Sequence, residues 1–524
     1  MSKLIPDIFA LIIKALEDDY NTLFNCLLMN KLWCDLTIPI LWRNCINRNL
    51  KSGPYEKNIS LVKILLTFLS EESKNILIKN EINLSFIQTQ KPLFNYISYC
   101  KTIVTFDVTE VIKDYFDPPL SRFQAKILEE VFYDMIFNKC FKLYRLNISH
   151  KLCYKKYDIL NFIRLKGNLS NIVELICVQH IDERFFHILA EICVNIRKLE
   201  LKDSNKNNNQ GLIKLIEAQN KLEYFTYNGN EGRNWDNFCE EIGQALIKHK
   251  NTLKHIHGKT RLCIPLTILD SFVNLETLML GYFTRTMNGL HSIKLPKLQG
   301  LRVCHLTEVK ELIQNTSGCL KRIKIHNQFA NNIRAEDIIQ IIIAIYQYCP
   351  KLEYFCIPFV DTIDDSLGDL LINCSQLKHI KIYDGSLIDE SLNGDAVLKI
   401  LLKSTSKNLQ RIEIKGSWKF SVEAIEKFLN NLKERNYSLY FEFDLNRNYF
   451  NKEFSNVIQN FIDDNDSATT WIPERVFQDI VRIWKQFSRI SVWALEIGTI
   501  PCSNIPSGEM TFPILALLGF GIYF

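Results

Sequence analysis

The chain lacks the signatures of the common catalytic and metal sites. Its 524 residues contain no glycine-rich phosphate loop, no G-x-S-x-G nucleophile elbow and no H-E-x-x-H pair. No two cysteines stand in a C-x-x-C spacing, and His255-x-His257 has no further ligand close by in sequence. A structural zinc site needs four converging sulfur or nitrogen ligands, so none is expected. Carboxylate pairs such as Asp364-Asp365 and Asp463-Asp464 fall at polar helix starts or loops, where solvation and the helix dipole account for them. The expectation is a chain without catalytic residues, metal or cofactor.

A strong excess of charge of one sign is also lacking. Lys and Arg number 63 and Asp and Glu 58, a net charge of +5, which argues against a nucleic-acid binder with a concentrated basic stripe. The chief apolar run is Phe512 to Phe524, which as a helix would span roughly 20 Å against a hydrocarbon core of about 30 Å. A membrane-attached form using this tail is a minor alternative. Residues 1–20 carry acidic groups and no charged-apolar-small layout of a secretory leader. The 16 cysteines are therefore expected as reduced thiols in the cytoplasm or nucleus. What is abundant is apolar material, 47% of the chain beside 23% charged residues, enough to bury a core.

The segment from Leu4 to Asn44 stands apart from the rest. Ile5, Ile8, Phe9, Ile12 and Leu16 fall at helical spacing, with Pro6 in the first turn where proline is tolerated. A second helix is expected from Thr22 to Met29, burying Leu23, Cys26 and Leu27. A third is expected from Lys31 to Ile38, stopping at Pro39. Three short helices make a core too small to be comfortable alone.

Leu4-Ile5-Pro6, the run Cys26-Leu27-Leu28-Met29-Asn30-Lys31-Leu32-Trp33, and Pro39-Ile40-Leu41-Trp42 occur in that order. In order, spacing and position the segment resembles an F-box, departing from it in that Asp7 follows Pro6 directly. The resemblance implies docking on a Skp-family adaptor and, through it, a cullin. The residues it points to are Leu4, Ile5, Pro6, Leu28, Met29 and Trp33, with Trp42 closing the box. Some of these must instead form the segment's own core.

From about residue 100 one phrase recurs: apolar, two residues, apolar, one residue, apolar. It begins at Leu143, Ile172, Ile196, Leu222, Leu253, Leu275, Leu298, Leu320, Leu352, Leu377 and Leu409, with a looser copy at Ile103. The spacing suits leucine-rich repeats. Alternation predicts strands whose second and third apolar residues face inward. Helical patterns lie between the phrases, for example Ile181, Phe185, Ile188 and Ile192, or Trp235, Phe238, Ile242 and Leu246. Cys100, Cys140, Cys193, Cys349 and Cys374 each sit three residues before a phrase, a regularity that marks them as small buried repeat residues. The units Ile181 to Leu201 and Ile363 to Ile382 resemble the cysteine-containing leucine-rich repeats found behind F-boxes.

The expected fold is thus α/β: a three-helix segment over residues 1–45, a helical linker over 46–99, a curved leucine-rich-repeat solenoid over 100–445 with parallel strands on its concave face, and a cap with an apolar tail over 446–524. The outward strand positions of the later repeats are mostly basic: Arg302, Arg322, Lys324, His379, Lys381 and Arg411, beside Gly300, Tyr354, Cys356 and Glu413. They are candidates for receiving an acidic or phosphorylated segment of a client protein. The resemblance implies a substrate receptor of a Skp–cullin–F-box ubiquitin ligase. There is no RING-type zinc pattern with which the chain would recruit a ubiquitin-conjugating enzyme itself. The other reading is a non-ligase interaction scaffold whose helices merely cap the repeats.

Overall fold

Each repeated phrase forms a short strand because alternate residues of extended backbone face opposite ways. In the phrase from Leu352, that residue closes the turn before the strand, and Phe355 and Ile357 point into the core, all three fully buried. The structure, a computed structural model, describes residues 6–44, 62–84, 92–104, 120–148, 169–178, 183–202, 210–229, 235–281, 289–304, 306, 308–326, 335–360, 364–384, 392–404, 408–416, 418–434, 440–443 and 456–457.

The chain divides into two compact units, one running to Gly258 and including Cys263–Pro265, the other formed by Lys259–Leu262 and the chain from Leu266. In the first, β1 (Thr102–Val104), β2 (Arg145–Ile148), β3 (Glu174–Val178), β4 (Lys198–Lys202), β5 (Tyr224–Asn228) and β6 (His255–Gly258) pair in parallel in chain order. In the second, β7 (Thr277–Leu280), β8 (Gly300–Val303), β9 (Arg322–Ile325), β10 (Tyr354–Phe359) and β11 (His379–Asp384) do the same. In this unit the parallel run continues through β13 (Arg411–Lys415) to β15 (Tyr440–Phe443), while β12 (Leu392–Asn393) and β14 (Trp418–Lys419) pair separately.

A second device repeats with the strands. The carbonyl just before a strand accepts two amides from the next repeat: Tyr144 from Val173 and Glu174, Val173 from Arg197 and Lys198, Lys321 from Glu353 and Tyr354. These bonds satisfy the backbone at the turn into most strands, where the sheet ladder has not yet begun. The repeat cysteines act there too. The Cys193 thiol donates to the Leu169 carbonyl at 3.2 Å and the Cys140 thiol to that of Ile97 at 3.3 Å. Burial pushes the thiols of Cys193, Cys349 and Cys374 up to about 12, so these are packing residues and poor nucleophiles.

Helices Glu183–Ile192, Gln210–Glu217 and Trp235–Ile247 pack in succession in the first unit. Val309–Gln314, Ala335–Tyr348, Asp364–Asn373, Gly394–Ser404 and Val422–Glu434 do so in the second. Strands lie about 4.8 Å apart and helices about 8–10 Å apart, so stacking them in step bends each array with its sheet on the inner side. Each unit is a stretch of leucine-rich-repeat solenoid.

Gly211 makes one helix contact possible. A Cβ there would stand 2.3 Å from the Glu183 carbonyl oxygen, a backbone atom. Gly211→Ala is expected to destabilise the protein by roughly 1–3 kcal/mol, measured by urea denaturation, despite alanine's better helix propensity.

Three expectations are corrected. The looser first phrase is displaced: Thr102 pairs with Arg145 and Ile103 with Leu146, so Ile103 takes the second apolar position of its repeat and not the first. Cys100 therefore corresponds to Leu143, and it is Ile97, not Cys100, that stands where later repeats carry cysteine. Pro39 does not stop the third helix, which runs Lys31–Leu41; burial of Leu41 and the bond from the Trp42 amide to the Ile38 carbonyl hold the turn beyond it. In Glu183–Ile192 the buried residues are Phe185, Phe186 and Leu189, one step round from Ile188 and Ile192. The strand that closes the expected solenoid is present as β15. All but residues 456–457 of the expected cap over 446–524, the tail Phe512 to Phe524 included, lie outside the described residues.

Candidate interaction surfaces

The N-terminal helices are α1 (Pro6–Ala15), α2 (Tyr20–Leu27) and α3 (Lys31–Leu41). Both turns between them are set by capping. The Thr22 amide and hydroxyl donate to the Asp19 carboxylate at 3.1 and 2.6 Å, and the Trp33 amide donates to the Asn30 side chain at 3.1 Å. The core is Ile13, Leu23, Cys26 and Leu41, with Leu16, Leu27, Trp33, Leu36, Ile40 and Trp42 packed against it.

This core sorts the residues that the sequence could not. Trp33 packs edge-on to Phe9 with ring centroids 5.3 Å apart, and Trp42 stacks on Tyr96 at 4.4 Å. Both tryptophans hold the module together, the second by fastening it to the segment leading into β1. The Lys101 amide adds a bond to the Arg43 carbonyl at 2.9 Å. Leu28 and Met29, by contrast, are 76% and 67% exposed, and Leu32 and Phe24 are exposed beside them in sequence. Phe24 and Leu28 stand four residues apart, on one side of α2 and its cap. Leu4 and Ile5 lie outside the described residues; Pro6 begins α1.

The face expected of α1 is half right: Phe9 packs on Trp33 and Leu16 on the core, but Ile8 and Ile12 do not turn inward. Ile13 is fully buried, whereas Ile8, Leu11 and Ile12 are exposed. The module thus presents exposed apolar side chains on α1, α2 and α3, a candidate docking surface. Leu11 escapes the sequence pattern because the almost wholly apolar α1 carries more than one plausible inward face; Phe24 and Leu32 are left outside because α2 and α3 bury Leu23, Cys26, Ile38 and Leu41 instead.

The second surface is the open strand face of the second unit. Parallel pairing aligns its outward residues in two rows across the strands. Gly300, Arg322, Tyr354, His379 and Arg411 form one; Arg302, Lys324, Cys356, Lys381 and Glu413 form the other. All six basic candidates therefore share one face, but they fall into two groups. Glu413, with only 8% of its side chain exposed, lies 2.9 Å from Lys381, 2.6 Å from Arg411 and 3.0 Å from His379. Burial pushes the Glu413 carboxyl up, yet the bond and charge of Lys381, then Arg411 and His379, outweigh it and hold the pKa below the usual carboxylate value. This end of the patch is partly neutralised from within.

The other end is not. No described acidic group lies within ion-pair distance of Arg302, Arg322 or Lys324, and the buried Nε of Arg302 has no hydrogen-bond partner. His326, just past β9, faces this cluster. Burial first, then the charges of Arg302, Lys324 and Lys381, push its pKa down to about 4, so it stays a neutral wall. Tyr383 packs against His326 at 5.6 Å between ring centroids and donates its hydroxyl to the Ile325 carbonyl at 2.9 Å. Cys356 is buried between Lys324 and Lys381 in the row, leaving the space above it to the longer side chains. The sequence identified the basic residues from their outward positions; the alignment of Glu413 with Lys381 becomes visible only once the two repeats are paired in register.

The first unit's face differs. There Glu174 lies 3.7 Å from Arg145 and 3.8 Å from Lys198, a ladder of alternating charge, and Tyr224 stacks on His255 at 3.9 Å. Among the described residues no group of three or more His, Cys, Asp or Glu converges as a metal site would. No helix among them is long and apolar enough to cross a membrane.

No protein-family model matches the chain, and no curated protein shows significant similarity to it. Solved structures do. One is the crystal structure of a Rad7 and Elc1 complex in yeast, at 15% identity and a TM-score of 0.36, covering 66% of this chain and 91% of that one. Another is the leucine-rich repeat-containing protein LegL7 from Legionella pneumophila, at 11% identity and a TM-score of 0.29, covering 62% and 99%. At these identities and scores neither likeness bears on function.

Proposed function

We propose that the chain is the substrate-recognition subunit of a Skp–cullin–F-box ubiquitin ligase. Its helical module docks on a Skp-family adaptor, and its strand face holds a client protein. The observation that carries this reading is the division of labour within the module: Trp33 and Trp42 pack inward while Leu28 and Met29 are left outside, on a segment whose motif order resembles an F-box. An apolar pair of this size, flanked by Phe24 and Leu32, is the type of anchor that fills a partner's pocket. The client face is the basic end of the second sheet, where Arg302, Arg322 and Lys324 suit an acidic segment. On this reading the chain works in the cytoplasm or nucleus and contributes proximity to ubiquitin transfer rather than bond chemistry.

The test is affinity purification of the full chain with purified adaptor and cullin. A stoichiometric ternary complex supports the reading. Adaptor binding without cullin leaves an interaction scaffold in its place, and no adaptor binding rejects the docking assignment.

A further inference from the structure

The two halves of the basic patch are unequal, and the inequality has a chemical meaning. Lys381 stands in the row between Cys356 and Glu413. On one side it belongs with Arg302 and Lys324, which have no anionic partner among the described residues. On the other it is bonded to Glu413 at 2.9 Å. Alternate strands are about 9.6 Å apart, twice the spacing of neighbours, so Lys324 and Lys381 flank the buried Cys356 on side chains long enough to converge above it on one tetrahedral anion. Arg302 adds a guanidinium with an unused Nε at the same level. His326 and Tyr383 wall the cluster.

From this geometry, and resting on the client-face reading above, we propose that Arg302, Lys324 and Lys381 bind a single phosphoryl group on a client segment, and that Glu413 is a built-in competing anion which such a group displaces from Lys381. A carboxylate is a weak rival for this role: it carries one charge where a phosphoserine carries nearly two and has three acceptor oxygens. Glu413 therefore sets a threshold. Scattered aspartate and glutamate side chains do not dislodge an internal carboxylate of the same charge, whereas a phosphoryl group does.

The inference fixes the sign of a pH dependence. The groups facing His326 are Arg302, Lys324, Lys381 and Tyr383; those facing Glu413 are His379, Lys381 and Arg411, with Tyr354 and Cys356 of β10 close enough to feel its charge. His326 remains neutral through the range where phosphoserine takes its second charge, near pH 6. Affinity should rise from pH 5.5 to 7.5. A histidine cation as the ligand-holding group would give the opposite slope.

Calorimetric titration of the full chain tests this, using a glycine-flanked phosphoserine pentapeptide, its unphosphorylated form, a triglutamate pentapeptide and a thymidine oligonucleotide. The phosphopeptide is expected to bind in preference to all three. Arg302→Gln with Lys324→Gln should weaken it by about thirtyfold or more; among the described residues neither side chain has an ion-pair partner to lose, and an unchanged melting temperature checks that the fold is kept. Glu413→Gln should tighten it by about fivefold and raise triglutamate binding as well, because the internal rival has gone. Equal binding of phosphopeptide and triglutamate to the unaltered chain would overturn the proposal while leaving the client-face reading in place. No binding of any peptide would overturn both, and oligonucleotide binding as tight as the phosphopeptide's would overturn it in favour of a polyanion surface.

Discussion

A chain carrying Leu28→Asp and Met29→Asp is expected to lose adaptor affinity by roughly a thousandfold while its thermal midpoint moves by no more than about two degrees. Both parts follow from exposure. The two side chains are 76% and 67% exposed, so replacing them removes little buried area from the folded chain. In the complex each would become a buried anchor, and an anchor of this type is worth about 2 kcal/mol or more; two together give about three orders of magnitude. The contrast is Trp33→Ala. Its ring packs on Phe9 and on the module core, so adaptor binding should fall there too, but together with the melting temperature. Surface plasmon resonance on immobilised adaptor, read beside calorimetric melts, separates the two. If the aspartate variant binds adaptor like the unaltered chain, docking uses some other face.

The largest effect on stability is expected from Trp418→Ala, at about 3–5 kcal/mol. Trp418 is fully buried and among the largest such side chains, in contact with Phe359 and Phe420 at 5.4 and 6.3 Å between ring centroids. Its indole N–H donates to the Lys415 carbonyl at 2.9 Å. It joins β14 to the core beneath β10, so its loss leaves a cavity between two repeats. In a repeat protein each unit leans on its neighbours, and unfolding should begin at the repeats around Trp418 and spread from there. Trp418→Phe keeps most of the volume and gives up the hydrogen bond, a loss of about 1 kcal/mol for that bond. Urea titration followed by tryptophan fluorescence and circular dichroism checks both; a loss below about 1 kcal/mol for Trp418→Ala would show that the cavity collapses.

The strands were legible because their signal is local. Two inward apolar residues separated by one outward residue is a pattern that extended backbone alone explains, and it placed nearly every strand of both sheets. It slipped at Ile103, where the phrase Ile103, Phe106, Val108 imitates the repeat three residues late and only pairing with β2 reveals the true register. The inward face of α1 was only half legible: Phe9 and Leu16 were placed correctly, Ile8 and Ile12 were not. With Ile8, Phe9, Leu11, Ile12, Ile13 and Leu16 all apolar, two helical faces compete, and the contacts of α1 with α3 decide for Ile13.

The candidate residues show the same limit. That Arg302, Lys324 and Lys381 face outward was readable from the alternation of each strand. That Glu413 ties up Lys381, Arg411 and His379 was not, because an ion pair depends on where long side chains turn after leaving the sheet. Trp33 and Trp42 illustrate it from the other side: a motif places a tryptophan in sequence but does not say whether its ring faces a partner or its own core.

Amide hydrogen exchange of the full chain, alone and with saturating adaptor, tests the central claim most directly. The account predicts slowed exchange in α2, α3 and the turn bearing Leu28 and Met29, with unchanged exchange in β8 to β11 and β13. Protection of those strands with unchanged helices would contradict it.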